Sequence, residues 1–261
     1  MIFETHAHYD DECFDEDREE LLSGLQEKNV GLVVNVGADL ETSVNSVELA
    51  KKWDYIYAAV GCHPDEVEGF DQESLNKIKE MAINNDKVVA IGEIGLDYYR
   101  KEGKDFIPNQ KTWFRKQLDL AYELKKPVII HSRDAGQDTY DILKEYITSH
   151  KDIVNPGVVH CYSYSPEMAK EFVKLGFYIG VGGVVTFKKA KKLVDTVAQI
   201  DIENILVETD SPYMSPEPNR GKRNNSANIK YIIDKIAEIK GISSDEVERI
   251  TEENARKMYG L

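Results

Sequence analysis

The sequence predicts an α/β protein, a closed (β/α)8 TIM barrel, and three observations predict it. The chain has 261 residues, and about 250 is typical of that architecture. Short apolar, β-branched runs alternate with longer amphipathic segments along its whole length. Apolar strands separated by helices imply a parallel sheet covered on both faces, and eight such units suit closure better than an open sheet. A doubly wound sheet would place a glycine-rich phosphate loop after its first strand, and Thr5-His6-Ala7-His8 is not one.

The first strand is expected at Ile2–Thr5, followed by a helix over Asp15–Lys28. Leu32–Val36 with Thr42–Trp53, and Tyr55–Val60 with Gln72–Asn85, form the next two units. Val88–Ile91 pairs with the long helical pattern Phe106–Lys125, and Pro127–Ile130 with Gly136–His150. Gly157–Val159 precedes Pro166–Leu175, and Phe177–Val181 precedes Lys188–Ile200. The last strand, Ile205–Val207, is followed by two helices, Ser226–Lys240 and Ser243–Tyr259. No repeat beyond the β/α unit, low-complexity tract or linker interrupts the series, so one domain over residues 1–261 is expected.

Hydrophobic residues make up 41% of the chain and charged residues 31%, the balance of a globular protein rather than a disordered one. No basic start followed by an apolar run opens the chain, and no stretch approaches the roughly 18 apolar residues of a membrane span. Cys13, Cys62 and Cys161 are odd in number and lack CxxC spacing, which argues against a disulfide framework. A cytoplasmic protein without membrane contact or obligate protein partner is the simplest expectation. The net charge of −14 speaks against generic nucleic-acid binding, but not against an enzyme that holds one phosphate with metal ions and a few arginines.

Metal-ligand residue types recur where the strands end: His6-Ala7-His8, His63, Glu93, His131, His160 and Asp210. Five of the six histidines fall there, and the sixth, His150, reads as a solvated surface residue. In a barrel those ends converge on one rim, where active sites of this architecture lie. Alternation along a strand puts His6 and His8 on one side, so they can grip one ion. Imidazoles and carboxylates together suit a divalent cation without naming it. Each motif alone, His63 included, also has a plain structural reading; the other six ligand-type residues together, on five converging strands, do not.

At these residues the chain resembles the TatD family of metal-dependent deoxyribonucleases, within the wider amidohydrolase-like barrels. The resemblance runs from Glu4-Thr5-His6-Ala7-His8 to Asn254-Ala255. Its most specific pieces are Gly61-Cys62-His63-Pro64, Gly92-Glu93-Ile94-Gly95-Leu96-Asp97-Tyr98, Pro127 to Arg133, and Glu208-Thr209-Asp210-Ser211-Pro212-Tyr213. It implies two divalent metal ions, magnesium, manganese or zinc: His6, His8 and Asp210 would hold one, His131 and His160 the other, with Glu93 bridging. It argues against relatives bridged by a carboxylated lysine, because strand four ends in Glu93. Two departures stand out: Glu4 replaces the usual aspartate before Thr-His-x-His, and Pro218-Asn219-Arg220-Gly221-Lys222-Arg223-Asn224-Asn225 lacks the family's histidine and glutamate.

The activity so implied is 3′-to-5′ exonuclease cleavage of DNA, single-stranded or at 3′ ends. A metal-bound hydroxide would attack phosphorus, with Asp210 orienting it or taking its proton and Glu93 completing the catalytic pair. Arg133 shares the strand face of His131 and could fork onto a phosphate. Arg220, Lys222 and Arg223 could reach a terminal phosphate or be solvated loop charges. Lys188, Lys189, Lys191 and Lys192 read as a solvated helix start or a DNA contact. His63 could donate to a phosphate oxygen or orient another ligand. Tyr98, Tyr99, Tyr162 and Tyr164 border the mouth as base-stacking or packing residues. Glu208, one layer below Asp210, is expected to support the ligands. The alternative function is a small-molecule amidohydrolase or lactonase using the same two-metal site.

Overall fold

A computed structural model of the chain describes residues 1–99 and 106–261. Eight strands lie in the order β1 to β8, every neighbouring pair parallel. They are β1 (Ile2–Ala7), β2 (Val30–Val36), β3 (Ile56–Val60), β4 (Val88–Asp97), β5 (Val128–Arg133), β6 (Gly157–Val159), β7 (Tyr178–Val181) and β8 (Ile205–Val207). The helices between and after them are α1 (Arg18–Gly24), α2 (Leu40–Lys52), α3 (Gln72–Asn84), α4 (Phe106–Leu124) and α5 (Gly136–Ser149). They continue with α6 (Pro166–Lys174), α7 (Lys191–Gln199), α8 (Ile229–Lys240) and α9 (Ser244–Tyr259). This is the (β/α)8 barrel that the alternation predicts, and no helix of the described residues is long and apolar enough to cross a membrane.

The ring closes where β8 meets β1, and it closes through the site. Asp210 N–H donates to His6 O at 3.0 Å, and His8 N–H to Ser211 O at 2.8 Å. Below them the Thr5 hydroxyl donates to Val207 O at 3.0 Å. Buried Glu4 clamps the same seam, accepting from His6 N–H, Thr209 N–H and the Thr209 hydroxyl. Burial drives its carboxyl up to about 7 against those hydrogen bonds.

Alternation along the strands sorts the core into two layers. Phe3, Val34, Ala59, Ile129, Val158 and Leu206 fill the barrel, and Ala255, Met258 and Tyr259 of α9 plug its floor. Tyr259 stacks on Phe3 at 5.6 Å and donates its hydroxyl to Thr5 O at 2.9 Å. Residues of the opposite parity, such as Val33, Ile130 and Ile179, pack outward with Phe114, Ile142 and Phe172 of the helices. Two residues beyond the inner layer come His131, His160 and Glu208, His63 stands four beyond Ala59, and two beyond Glu208 comes Asp210.

The elements depart from expectation in two instructive places. β4 runs ten residues, to Asp97, instead of four; the glycines that suggested its end at Gly92 and Gly95 sit inside it. The first helix shrinks to Arg18–Gly24 between 3-10 turns at Glu12–Phe14 and Gln26–Lys28. Arg18 explains its late start, since its guanidinium is spent on the carbonyls of Tyr9, Asp10 and Asp11 in the preceding loop. Side-chain caps start other helices: Asp39, Asp71, Ser165 and Ser243 accept from backbone N–H groups of α2, α3, α6 and α9.

Backbone proximity at β6 gives a stability test away from the rim. Gly157 has φ 138°, and a Cβ there would stand 1.9 Å from Val128 O. Gly157→Ala is expected to cost about 3 kcal/mol. Gly24, at the end of α1 with nothing within 4 Å of an added Cβ, is expected to gain about 0.5 kcal/mol as alanine. Chemical denaturation midpoints of the two variants check both signs.

Candidate metal centre

Two groups of donor atoms converge at the C-terminal rim and share Glu93. In the first, His6 Nε2 lies 3.1 Å from His8 Nε2 and 3.4 Å from Glu93 Oε2. Asp210 Oδ1 completes it, 3.5 Å from His8 Nε2 and 3.8 Å from His6 Nε2. In the second, Glu93 Oε1 lies 2.7 Å from both His131 Nδ1 and His160 Nε2, which stand 3.5 Å apart. Ligands about 2.0–2.2 Å from one ion stand about 3–4 Å from each other, so each group has the spacing of a coordination shell. Sets of such atoms at His6, His8 and Glu93, and at His63, Glu93 and His131, could each hold a metal ion.

The far side of each ring fixes which nitrogen faces inward. His8 Nδ1 donates to Val36 O at 2.7 Å; a carbonyl only accepts, so the Nε2 lone pair is left for the centre. His131 Nε2 donates to Asp97 at 3.0 Å, leaving Nδ1 toward Glu93. His6 and His160 stack at 4.0 Å, nearly parallel, and their Nδ1 atoms have no hydrogen-bond partner. Beneath them lies buried Glu208, its Oε1 accepting from Cys161 N–H at 2.5 Å and standing 3.7 Å from His160 Nδ1. Gly180 makes room for it, because a Cβ there would lie 2.6 Å from Glu208 Oε2. Such outer carboxylates aim and polarise metal-binding imidazoles.

The electrostatics of the pair groups suit a cation. Burial opposes ionisation of Glu93, yet His160, His63 and His131 outweigh it and hold its carboxyl well below the usual range. Asp210 is likewise lowered, burial being overcome by the His8 hydrogen bond and by His6 and His160. His8 is pushed up to about 9, because Asp210 and Glu93 outweigh its burial. A divalent ion would bind carboxylates that are already ionised and would release the proton that they hold on His8.

His63 behaves differently. Burial, helped by His131, drives it down to about 3, so it is neutral. Its Nδ1 accepts from Asp65 N–H at 3.1 Å, which puts the ring hydrogen on Nε2, 3.6 Å from Glu93 Oε1. It offers an N–H to whatever enters.

Above the centre opens a cavity of about 820 Å³, within the size range of a ligand site. Arg133 lines it, its guanidinium 3.7 Å from the Tyr99 ring centre, and is the one lysine or arginine to do so among the described residues. The structure does not bring Arg220 or Arg223 there. Arg220 lies on Phe187 at 4.4 Å, while Arg223 forks onto Asp17 at 2.9 and 2.5 Å and binds Cys13 O. Tyr98, Tyr162 and Tyr164 are tied down by Asp138, Ser165 O and Ser132, leaving Tyr99 exposed at 61%. His150 is half-buried against Tyr122 at 3.8 Å rather than freely solvated.

Sequence reasoning missed Asp97 as the partner of His131, although it lies four residues beyond Glu93 on the same strand face. It also missed Tyr213 and Met214, exposed at 55% and 45% on the cavity wall, and the acids Asp10, Asp11, Asp65 and Glu66 along the rim.

A (β/α)8 barrel with histidine and carboxylate donors gathered at its C-terminal rim defines the class, a metal-dependent hydrolase. The family model described as TatD related DNase matches residues 3–260, and the chain belongs to that family. It is 43% identical over 262 residues to YabD of Bacillus subtilis, described as an uncharacterized metal-dependent hydrolase, with all of both chains covered. The crystal structure of YjjV, a TatD homolog from Escherichia coli, superposes with a TM-score of 0.91 at 31% identity, covering 100% of this chain and 98% of that one. A TatD family hydrolase from Entamoeba histolytica gives 0.86 at 25%, covering 99% and 98%.

Asp97→Ala is expected to weaken the Glu93–His131–His160 group for its ion by about 10–100-fold, leaving the His6–His8–Asp210 group nearly as before. Titration of metal-stripped protein, followed by metal analysis, distinguishes one weakened site from two.

Proposed function

We propose that the chain is a two-metal phosphodiesterase that trims DNA from 3′ ends. One observation carries the reading: Glu93 turns its two oxygens to two separate donor groups beneath a cavity whose lining holds Arg133. His6, His8 and Asp210 would bind one divalent ion, His131 and His160 the other. When bound, the ions acidify a water and neutralise charge on the phosphoryl oxygens.

The chain's own residues do the rest. Arg133, braced flat on Tyr99, presents paired N–H groups to two phosphate oxygens. His63 donates its Nε2 hydrogen to a phosphoryl oxygen, and stays neutral through the working pH because burial keeps it so. Asp210, ionised and facing the cavity, takes the proton of the attacking water. Tyr213 and Met214 give the terminal base an apolar wall. The acids Asp10, Asp11, Asp65 and Glu66 repel a second stretch of backbone, which favours an end over the middle of a strand. The family description, TatD related DNase, supports DNA as the substrate.

A small-molecule amidohydrolase or lactonase is the second reading, favoured by the same acidic rim and by the net charge of −14. End-labelled single-stranded DNA separates the two. Metal-stripped protein should be inactive and should regain 3′ trimming with magnesium, manganese or zinc. Glu93→Ala and Asp210→Ala should each lower the rate by about 10³-fold or more. Arg133→Ala should mainly raise KM, by about tenfold or more. Metal content near two ions per chain without cleavage under any metal overturns DNA and leaves the small-molecule hydrolase.

A further inference from the structure

The rim of the cavity is charged unevenly. Where β1 and β3 run into their loops, it carries Asp10, Asp11, Asp65 and Glu66. On the side of β7 and β8 it is walled by Val184, Leu193, Tyr213 and Met214. The chain between Val184 and Leu193 bears Lys188, Lys189, Lys191 and Lys192, all exposed.

The loop after β8 packs on this segment. Glu217 N–H donates to the Thr186 hydroxyl at 2.9 Å, and Arg220 lies on the Phe187 ring at 4.4 Å. Gly183 approaches so closely that a Cβ on it would stand 2.0 Å from Met214 O. This docking brings the loop tip with Arg220 and Lys222 to the four lysines.

None of these six cations forms an ion pair with a carboxylate among the described residues, whereas Lys77, Arg115, Arg223 and Arg249 do. Asp195 and Glu217 are the only acids in the two segments 183–195 and 213–223. In a chain of net charge −14, gathering unpaired positive charge in one place brings self-repulsion that no intramolecular partner offsets.

We propose that this patch is the track for the phosphate backbone of a single strand whose end occupies the cavity. The strand leaves over the β7–β8 side, because the β1–β3 side repels it. Exposed Tyr213 lines the cavity mouth, its hydroxyl donating to Asp11 at 2.9 Å, and offers a face on which a base can stack. The track explains how an acidic protein can hold a polyanion: attraction comes from a local field, not from net charge. It rests on the nuclease reading of the cavity.

The test is fluorescence anisotropy of a labelled oligothymidylate of about ten nucleotides, with Asp210→Asn in every protein to prevent cleavage. The four-lysine variant Lys188→Ala, Lys189→Ala, Lys191→Ala, Lys192→Ala is expected to bind about tenfold or more weakly. Its log-affinity against log-salt slope should be shallower by about 2–3 units. Alanines at Lys28, Lys125, Lys151 and Lys257 serve as a charge-matched control and should leave the slope as it was. An unchanged slope in the track variant, or equal losses in track and control variants, overturns the track. Cleavage of end-labelled DNA by the unsubstituted protein is read separately: cleavage with an unchanged slope removes the track alone, and no cleavage and no binding remove both.

Discussion

The rim of this barrel is organised around one buried carboxylate. Glu93 is 4% exposed, and an ionised carboxyl so placed is costly unless positive or hydrogen-bonding groups surround it. Four imidazoles from β1, β5, β6 and the end of β3 meet that demand, with nitrogens 2.7 to 3.6 Å from its oxygens. Bonds on the far side of the ring hold two of them, Asp97 for His131 and Asp65 N–H for His63, and Val36 O does the same for neighbouring His8. The parallel strands deliver His131 and His160 at one height, each two residues beyond an inner-layer residue, while His6 lies three beyond Phe3 across a register shift and His63 four beyond Ala59.

Much of this was legible in the chain. Apolar runs at barrel spacing announced eight strands, and histidines just beyond them announced the rim. What could not be read were relations that depend on register. Glycines inside β4 looked like its end, so Asp97 fell outside the strand that aims it at His131. Arg223 was out of reach for a different reason: spacing says how far its side chain can extend, not that Asp17 and Cys13 O will hold it. Likewise Tyr98, Tyr162 and Tyr164 sit beside ligands in sequence, but each hydroxyl has a partner of its own, and of the three Tyr162 lines the cavity. Glu4, standing where the family usually carries aspartate, accepts from His6 N–H and from the N–H and hydroxyl of Thr209 across the β1–β8 seam.

The charge distribution separates two scales that composition merges. Over the whole chain acid prevails. At the rim it is divided among the described residues, acids gathered after β1 and β3, cations without an ion pair after β7 and β8, and Arg133 the one lysine or arginine lining the cavity. A global count describes the first scale only, and specificity is decided on the second.

Closure of the barrel through the site has a consequence for biosynthesis. The backbone bonds between His6 and Asp210, and between His8 and Ser211, join positions some two hundred residues apart, so they form only once nearly the whole chain is available. A nascent or truncated chain can carry four histidines and Glu93 yet lack the strand that brings Asp210 to His6 and His8. With Asp210 as the base proposed above, a chain released before β8 would hold its histidines and Glu93 without the group that takes the proton, and such a fragment would be silent.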